Sequence, residues 1–155
     1  MRGLIVTTTL AATLLLPGCE KYALDRQMEE LCAKDGGVRV YEKVVLPAEM
    51  FGENGDPFPG WQQRPESERL GNDYQLIHEI TYLKKGEPLR GESQLDRDHW
   101  KVIRKVDGKV LGEGISYGRS GGDFIVIDHF TSASCPVRMG APREIIRAVF
   151  TKGGN

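Results

Sequence analysis

The stretch His99-Trp100-Lys101-Val102-Ile103-Arg104-Lys105-Val106-Asp107-Gly108-Lys109-Val110-Leu111-Gly112-Glu113-Gly114-Ile115-Ser116-Tyr117 decides the fold. Trp100, Val102 and Arg104 alternate with His99, Lys101 and Ile103, and a period of two is the mark of a strand with two unlike faces. Asp107-Gly108 follows, a hairpin signal, because Gly accepts the positive φ that a primed two-residue turn demands. The chain then returns over 109–117 with Val110, Leu111, Ile115 and Tyr117 as anchors. Gly112 and Gly114 point to a bulge or a close crossing on that return strand. Two antiparallel strands cannot stand alone in water, so the rest of the chain must supply further strands and a cover.

Working outward, 74–83 reads as another strand. Leu76, His78, Ile80 and Tyr82 alternate with Ile77, Glu79, Thr81 and Leu83, and apolar residues on both faces predict a central position. Residues 89–95 read as a polar edge strand after the Lys84-Lys85-Gly86-Glu87-Pro88 turn. A further strand spans 38–46, rich in Val and ended by Pro47. Phe124 to Ile127 is a short apolar run, and 129–140 reads as mostly loop.

Helices bracket these strands. Over 20–34, Leu24, Met28, Leu31 and Cys32 recur on one face of a 3.6-residue period, and Gly36-Gly37 stops the helix. Near the end, Pro142 suits a first helical turn, and Ile145, Ile146, Val149 and Phe150 form an apolar face, with a short strand as the alternative. The expected fold is therefore α+β: an N-terminal helix packed on an antiparallel meander sheet, a short C-terminal helix, and one disulfide.

The segment 47–71 differs in composition. Pro47, Pro57, Pro59 and Pro65 break regular structure, and Phe51, Phe58 and Trp61 are spaced along it. Long loops in compact domains are often functional. These aromatics either pin the loop to the sheet, which burial favours, or form a binding surface.

The N-terminus carries an export signal. Arg2 precedes a 13-residue uncharged run, Leu4 to Leu16, too short for the roughly 20 residues that cross a bilayer but suited to the core of a signal peptide. Leu16-Pro17-Gly18-Cys19 resembles the lipobox of bacterial lipoproteins, with Pro17 a departure from the usual residue there. The resemblance implies cleavage of residues 1–18, a diacylglyceryl thioether on Cys19, and acylation of the new amino terminus. Residues 19–155 then form a single mature domain, lipid-anchored in the bacterial cell envelope and facing the periplasm. Glu20 after the cysteine favours the outer membrane over the inner one, since an Asp there is the retention signal.

Three cysteines are present. With Cys19 taken by lipid, Cys32 and Cys135 remain as an even pair in an oxidising compartment, which predicts a disulfide; the alternative is two buried free thiols. Leu31-Cys32-Ala33-Lys34-Asp35-Gly36-Gly37 with Val40-Tyr41-Glu42, and later Ser134-Cys135-Pro136 and Val149-Phe150, resembles a pattern in small uncharacterised lipoproteins of proteobacteria. That resemblance implies the same two-cysteine framework and transfers no catalytic residue.

Composition excludes several functions. The chain is 28% charged and 39% hydrophobic with a net charge of −1, so no basic excess points to nucleic acid. His78, His99 and His129 fall in no metal-binding spacing, and no Cys-x-x-Cys occurs, so neither metal nor cofactor is expected. Asp98-His99 and Asp128-His129 are adjacent, but neighbours on a strand point to opposite faces. Gly114-Ile115-Ser116-Tyr117-Gly118 and Gly118-Arg119-Ser120-Gly121-Gly122 match Gly-x-Ser-x-Gly in spacing, but no helical pattern follows either, as a nucleophile elbow requires. Arg119-Ser120-Gly121-Gly122-Asp123 reads as a plain turn, or as a small anion nest. The resulting expectation is a non-enzymatic binding or accessory lipoprotein with an envelope protein partner. Two alternatives stand beside it: an enzyme built on Arg119, Asp123 and His129, or a component of a mobile-element or secretion apparatus.

Overall fold

The computed structural model describes residues 17–123, 129–136 and 141–154, the side chains of 17–19 and 141 excepted. Helix α1 covers Pro17–Asp35 and helix α2 Ala141–Val149. The strands are β1 (Gly37–Val40), β2 (Val44–Leu46), β3 (Tyr74–Lys84), β4 (Gln94–Arg104), β5 (Lys109–Ser120), β6 (Ser132–Cys135) and β7 (Phe150–Lys152). The α+β expectation holds: an N-terminal helix, an antiparallel sheet, a short C-terminal helix and a Cys32–Cys135 disulfide.

β3, β4 and β5 form an antiparallel meander at the centre of the fold. The anticipated β4–β5 hairpin is present, but its loop is four residues long, since Arg104 pairs with Lys109. Gly108 takes φ 68° and donates its N–H to the Arg104 carbonyl at 2.9 Å. Asp107 closes the loop, accepting from the Arg104 guanidinium and from the Lys109 N–H at 3.1 Å. The predicted bulge lies on β5: Val102 faces Gly112 while Ile103 faces Val110, so Leu111 is the extra residue.

The other edge of β5 is shared by two short strands laid end to end. β1 pairs with residues 112–115, and β6 pairs with 117–120. Cys135 lies opposite Tyr117 and Gly37 opposite Ile115, so the end of β6 abuts the start of β1. The disulfide sits at this junction, with Cα atoms 6.0 Å apart across 103 residues of sequence.

Register assigns the faces. Leu76, Val102 and Gly112 share one face and Leu95, Ile115 and Tyr117 the other. α2 packs on the first through Ile145, Ile146 and Val149, all at most 1% exposed. Gly112 permits that approach, since a Cβ there would lie 2.7 Å from Val149 Cγ2 and 3.0 Å from the Arg39 carbonyl. α1 packs on the second through Leu24, Met28 and Cys32. The two helices thus cover opposite faces, α2 toward the β4–β5 loop and α1 toward the other end.

Several expectations are corrected. The strand predicted over 38–46 is two strands in different sheets. Tyr41 and Glu42 both donate their N–H groups to the Leu111 carbonyl at the bulge, at 2.8 and 3.0 Å, and the chain leaves the main sheet there. β2 then pairs in parallel with β7, the strand that follows α2, so both readings of the C-terminus are realised in succession. β3, expected to be central, is an edge strand in the order β1-β5-β4-β3, with Ile80, Tyr82 and Leu83 exposed. The strand expected over 89–95 is instead a 3-10 turn at Pro88–Arg90 followed by the start of β4. β6 occupies part of 129–140, expected to be loop. The Phe124–Ile127 run lies outside the described residues.

The 47–71 segment is folded down as three short 3-10 turns and a Phe51–Pro57 bridge. Phe58, 2% exposed, meets Phe150 edge-to-face at 4.9 Å, and Phe150 meets Tyr74 at the same distance. Phe58 holds φ 54°, which a bulky residue rarely adopts. Full burial of a Phe stabilises by about 1.5–3 kcal/mol, enough to offset a strain of about 1–3 kcal/mol.

Candidate functional site

The residues singled out in the sequence do not converge. Phe51, Phe58 and Trp61 lie with the α2 core, while Arg119 and Asp123 lie at the opposite end of the sheet beside α1. The aromatic binding surface is corrected accordingly. Phe58 and Trp61 are core residues at 2% and 7% exposure, and Phe51 is partly buried against them. Only the rim of Trp61 contributes to a surface feature, a cleft of about 440 Å³ shared with Asn54, Asp56, Gln62, Gln63 and Arg143. Asp56, 5% exposed, forms its wall and is already engaged. Asn54 donates to it at 2.8 Å, the Arg147 guanidinium bonds it closely, and Arg143 stands 3.5 Å away. This arrangement ties the loop to α2.

Arg119 and Asp123 are likewise structural. The Arg119 side chain, 3% exposed, donates to Asp25 of α1 at 2.7 Å and to the Gly121 and Thr131 carbonyls at 2.9 and 3.0 Å. Asp123 accepts from Lys21 at 2.9 Å and from the Thr131 N–H and hydroxyl. Lys21 and these Thr131 donors hold its carboxyl well below the usual carboxylate range. A nest for an external anion would leave N–H groups and charge facing outward, whereas here the charges pair internally. His129 is exposed.

The sheet creates groupings that sequence reasoning did not name. Asp98 and His99 do point to opposite faces, and each finds a partner on a neighbouring strand. On the α2 face, His78 of β3 is opposite Trp100 of β4, and their rings stack at 3.6 Å and 2°. His78 Nε2 lies 2.5 Å from Asp98 Oδ1, with both side chains about a third exposed or less. Asp96, two residues along the same face, is bonded by Gln94 at 3.1 Å, and burial pushes its carboxyl up. On the other face, His99 Nε2 is 2.8 Å from Glu113, which also accepts from the Tyr41 hydroxyl. That hydroxyl, with His99, holds the Glu113 carboxyl below its ordinary value. These pairs could have been found only by knowing the β3–β4–β5 register. Chemically, they are imidazole–carboxylate contacts that tie neighbouring strands together. No group of three or more His, Cys, Asp or Glu residues suited to a metal occurs among the described residues.

The fold and the disulfide define the class: a small, singly cross-linked α+β domain with ion-paired polar clusters. Comparison with protein-family models, curated proteins and solved structures finds no match to this chain.

Proposed function

We propose that the chain is a membrane-anchored lipoprotein of the bacterial envelope, a non-enzymatic binding or accessory domain facing the periplasm. One observation carries this reading. Of three cysteines, Cys32 and Cys135 are bonded to each other, which leaves Cys19, at the head of α1 and directly after Leu16-Pro17-Gly18, as the lipid acceptor. A structural disulfide suits an exported protein and is rare in a reducing cytosol. Because Arg119 and Asp123 are engaged in holding α1, binding is favoured over catalysis. The middle of β3 supplies the surface for an envelope protein partner: among the described residues the strand pairs only with β4, and Ile80 is exposed on it. An unpaired edge is a template for strand addition. Glu20 after the anchor favours the outer membrane.

The test is the intact mass of protein purified from membranes, before and after reduction. The expected product is chain 19–155 plus lipid, gaining two hydrogens on reduction. An unprocessed chain, or a cleaved chain without lipid, refutes the reading.

A further inference from the structure

We infer that the end of the domain formed by β3 and the β3–β4 connection rests on the membrane that holds the anchor, with Leu83 and Leu89 entering the headgroup layer. This inference rests on the lipoprotein reading of Cys19.

The argument begins with the tether. A chain starting at Cys19 has no linker, because the next two residues already grip the domain. Glu20 is ion-paired with Lys84 at the end of β3 and accepts from the Ser93 hydroxyl at 3.4 Å. Lys84 holds the Glu20 carboxyl below its ordinary value. Lys21 is bonded to Asp123 at 2.9 Å and to Thr131 at 2.7 Å. One residue spans at most about 3.6 Å, whereas the headgroup region on each side of the hydrocarbon is roughly 5–8 Å thick. Whatever surrounds Glu20 therefore lies at or within the headgroups.

The surface at that position suits an interface. Leu89, in the 3-10 turn Pro88–Arg90, is 73% exposed, and Leu83 is 44% exposed. Tyr22 follows the anchor by three positions and is 74% exposed. Lys85 sits over the Tyr82 ring at 5.8 Å, the aromatic and long basic residues that collect at membrane–water boundaries. The charges balance: Lys21 pairs with Asp123, Lys84 with Glu20, and Arg90 with Glu87. Docking therefore rests on apolar contact and the short tether, and it should be insensitive to salt, unlike a polybasic patch. In this pose the α1 axis leads away from the membrane and the β4–β5 loop points into the periplasm.

Hydrogen exchange on the lipidated full chain in vesicles of phosphatidylethanolamine and phosphatidylglycerol tests the pose. Two variants serve as references. In one, a Gly/Ser spacer of about 20 residues, with a reach of roughly 25 Å, separates Cys19 from Glu20. The other carries Leu83→Asp and Leu89→Asp, both at exposed positions. The native protein should show exchange in 85–92 slowed about tenfold relative to either variant, equivalent to about 1.4 kcal/mol of opening free energy. Equal exchange in all three, with lipid confirmed on each by mass, overturns the docked pose and leaves the anchor standing. A native mass without lipid overturns the lipoprotein reading itself.

Discussion

Replacing Cys32 and Cys135 together by Ala gives a sharp test of how this fold is held. The bond closes a loop of 103 residues, and in the chain-entropy model a loop of about 100 residues confers up to about 4.7 kcal/mol by restricting the unfolded chain. Cys32 is also 9% exposed in a cluster with Leu24, Met28, Leu95, Ile115 and Tyr117, so losing its sulfur removes roughly another 1 kcal/mol of packing. Native strain and residual order in the unfolded state work against these contributions, and the expected loss is about 3–5 kcal/mol. A domain of this size has about 5–15 kcal/mol in total, so the variant folds but melts roughly 10–20 °C lower. Urea unfolding followed by circular dichroism provides the assay. The midpoint should fall and the slope should rise, because an uncrosslinked unfolded chain exposes more surface. Reducing the native protein should give the same midpoint as the double variant to within about 1 kcal/mol, the packing difference. An unchanged midpoint would refute the argument that the bond bears the junction of β6, β1 and α1.

Asp25→Ala should destabilise by about 3 kcal/mol, because it leaves the 3%-exposed Arg119 cation without its carboxylate. Glu30→Ala on the same helix, which breaks only the exposed Arg26–Glu30 pair, should cost less than about 0.5 kcal/mol; equal losses in urea titrations would contradict this account. Stability should decline in acid. Lys21 and Thr131 depress the Asp123 carboxyl, so its contribution is complete above the unfolded value near 4 and disappears as pH falls toward the lower folded value. Denaturation at pH 7, 5 and 3 should therefore show a smaller acid loss for Asp123→Asn than for the native chain, and parallel curves would remove this cause.

Local pattern was legible in the sequence. Alternation in 99–117 placed β4 and β5, and period 3.6 placed both helices with Leu24, Met28, Ile145, Ile146 and Val149 inward. The even pair left after Cys19 anticipated the disulfide. Each of these depends on residues close in sequence, or on a count. The candidate binding residues were less legible, since an aromatic or an Arg in a loop looks the same whether it faces a ligand or a core. Only packing put Phe58 against Phe150 and Arg119 against Asp25.

Pairing between distant segments was decided by the tertiary structure alone. Val44 meets Phe150, Glu20 meets Lys84, and His78 stacks on Trp100 because segments far apart in sequence close against one another. The 38–46 strand illustrates the difference: its composition correctly favours extended backbone throughout, but the Leu111 carbonyl, opposite it across the bulge, captures two N–H groups and divides it between sheets. A period records how a segment is built and which side it buries; the identity of its neighbour is set by closure over tens of residues, where many pairings satisfy the same local pattern and burial of the shared core selects among them.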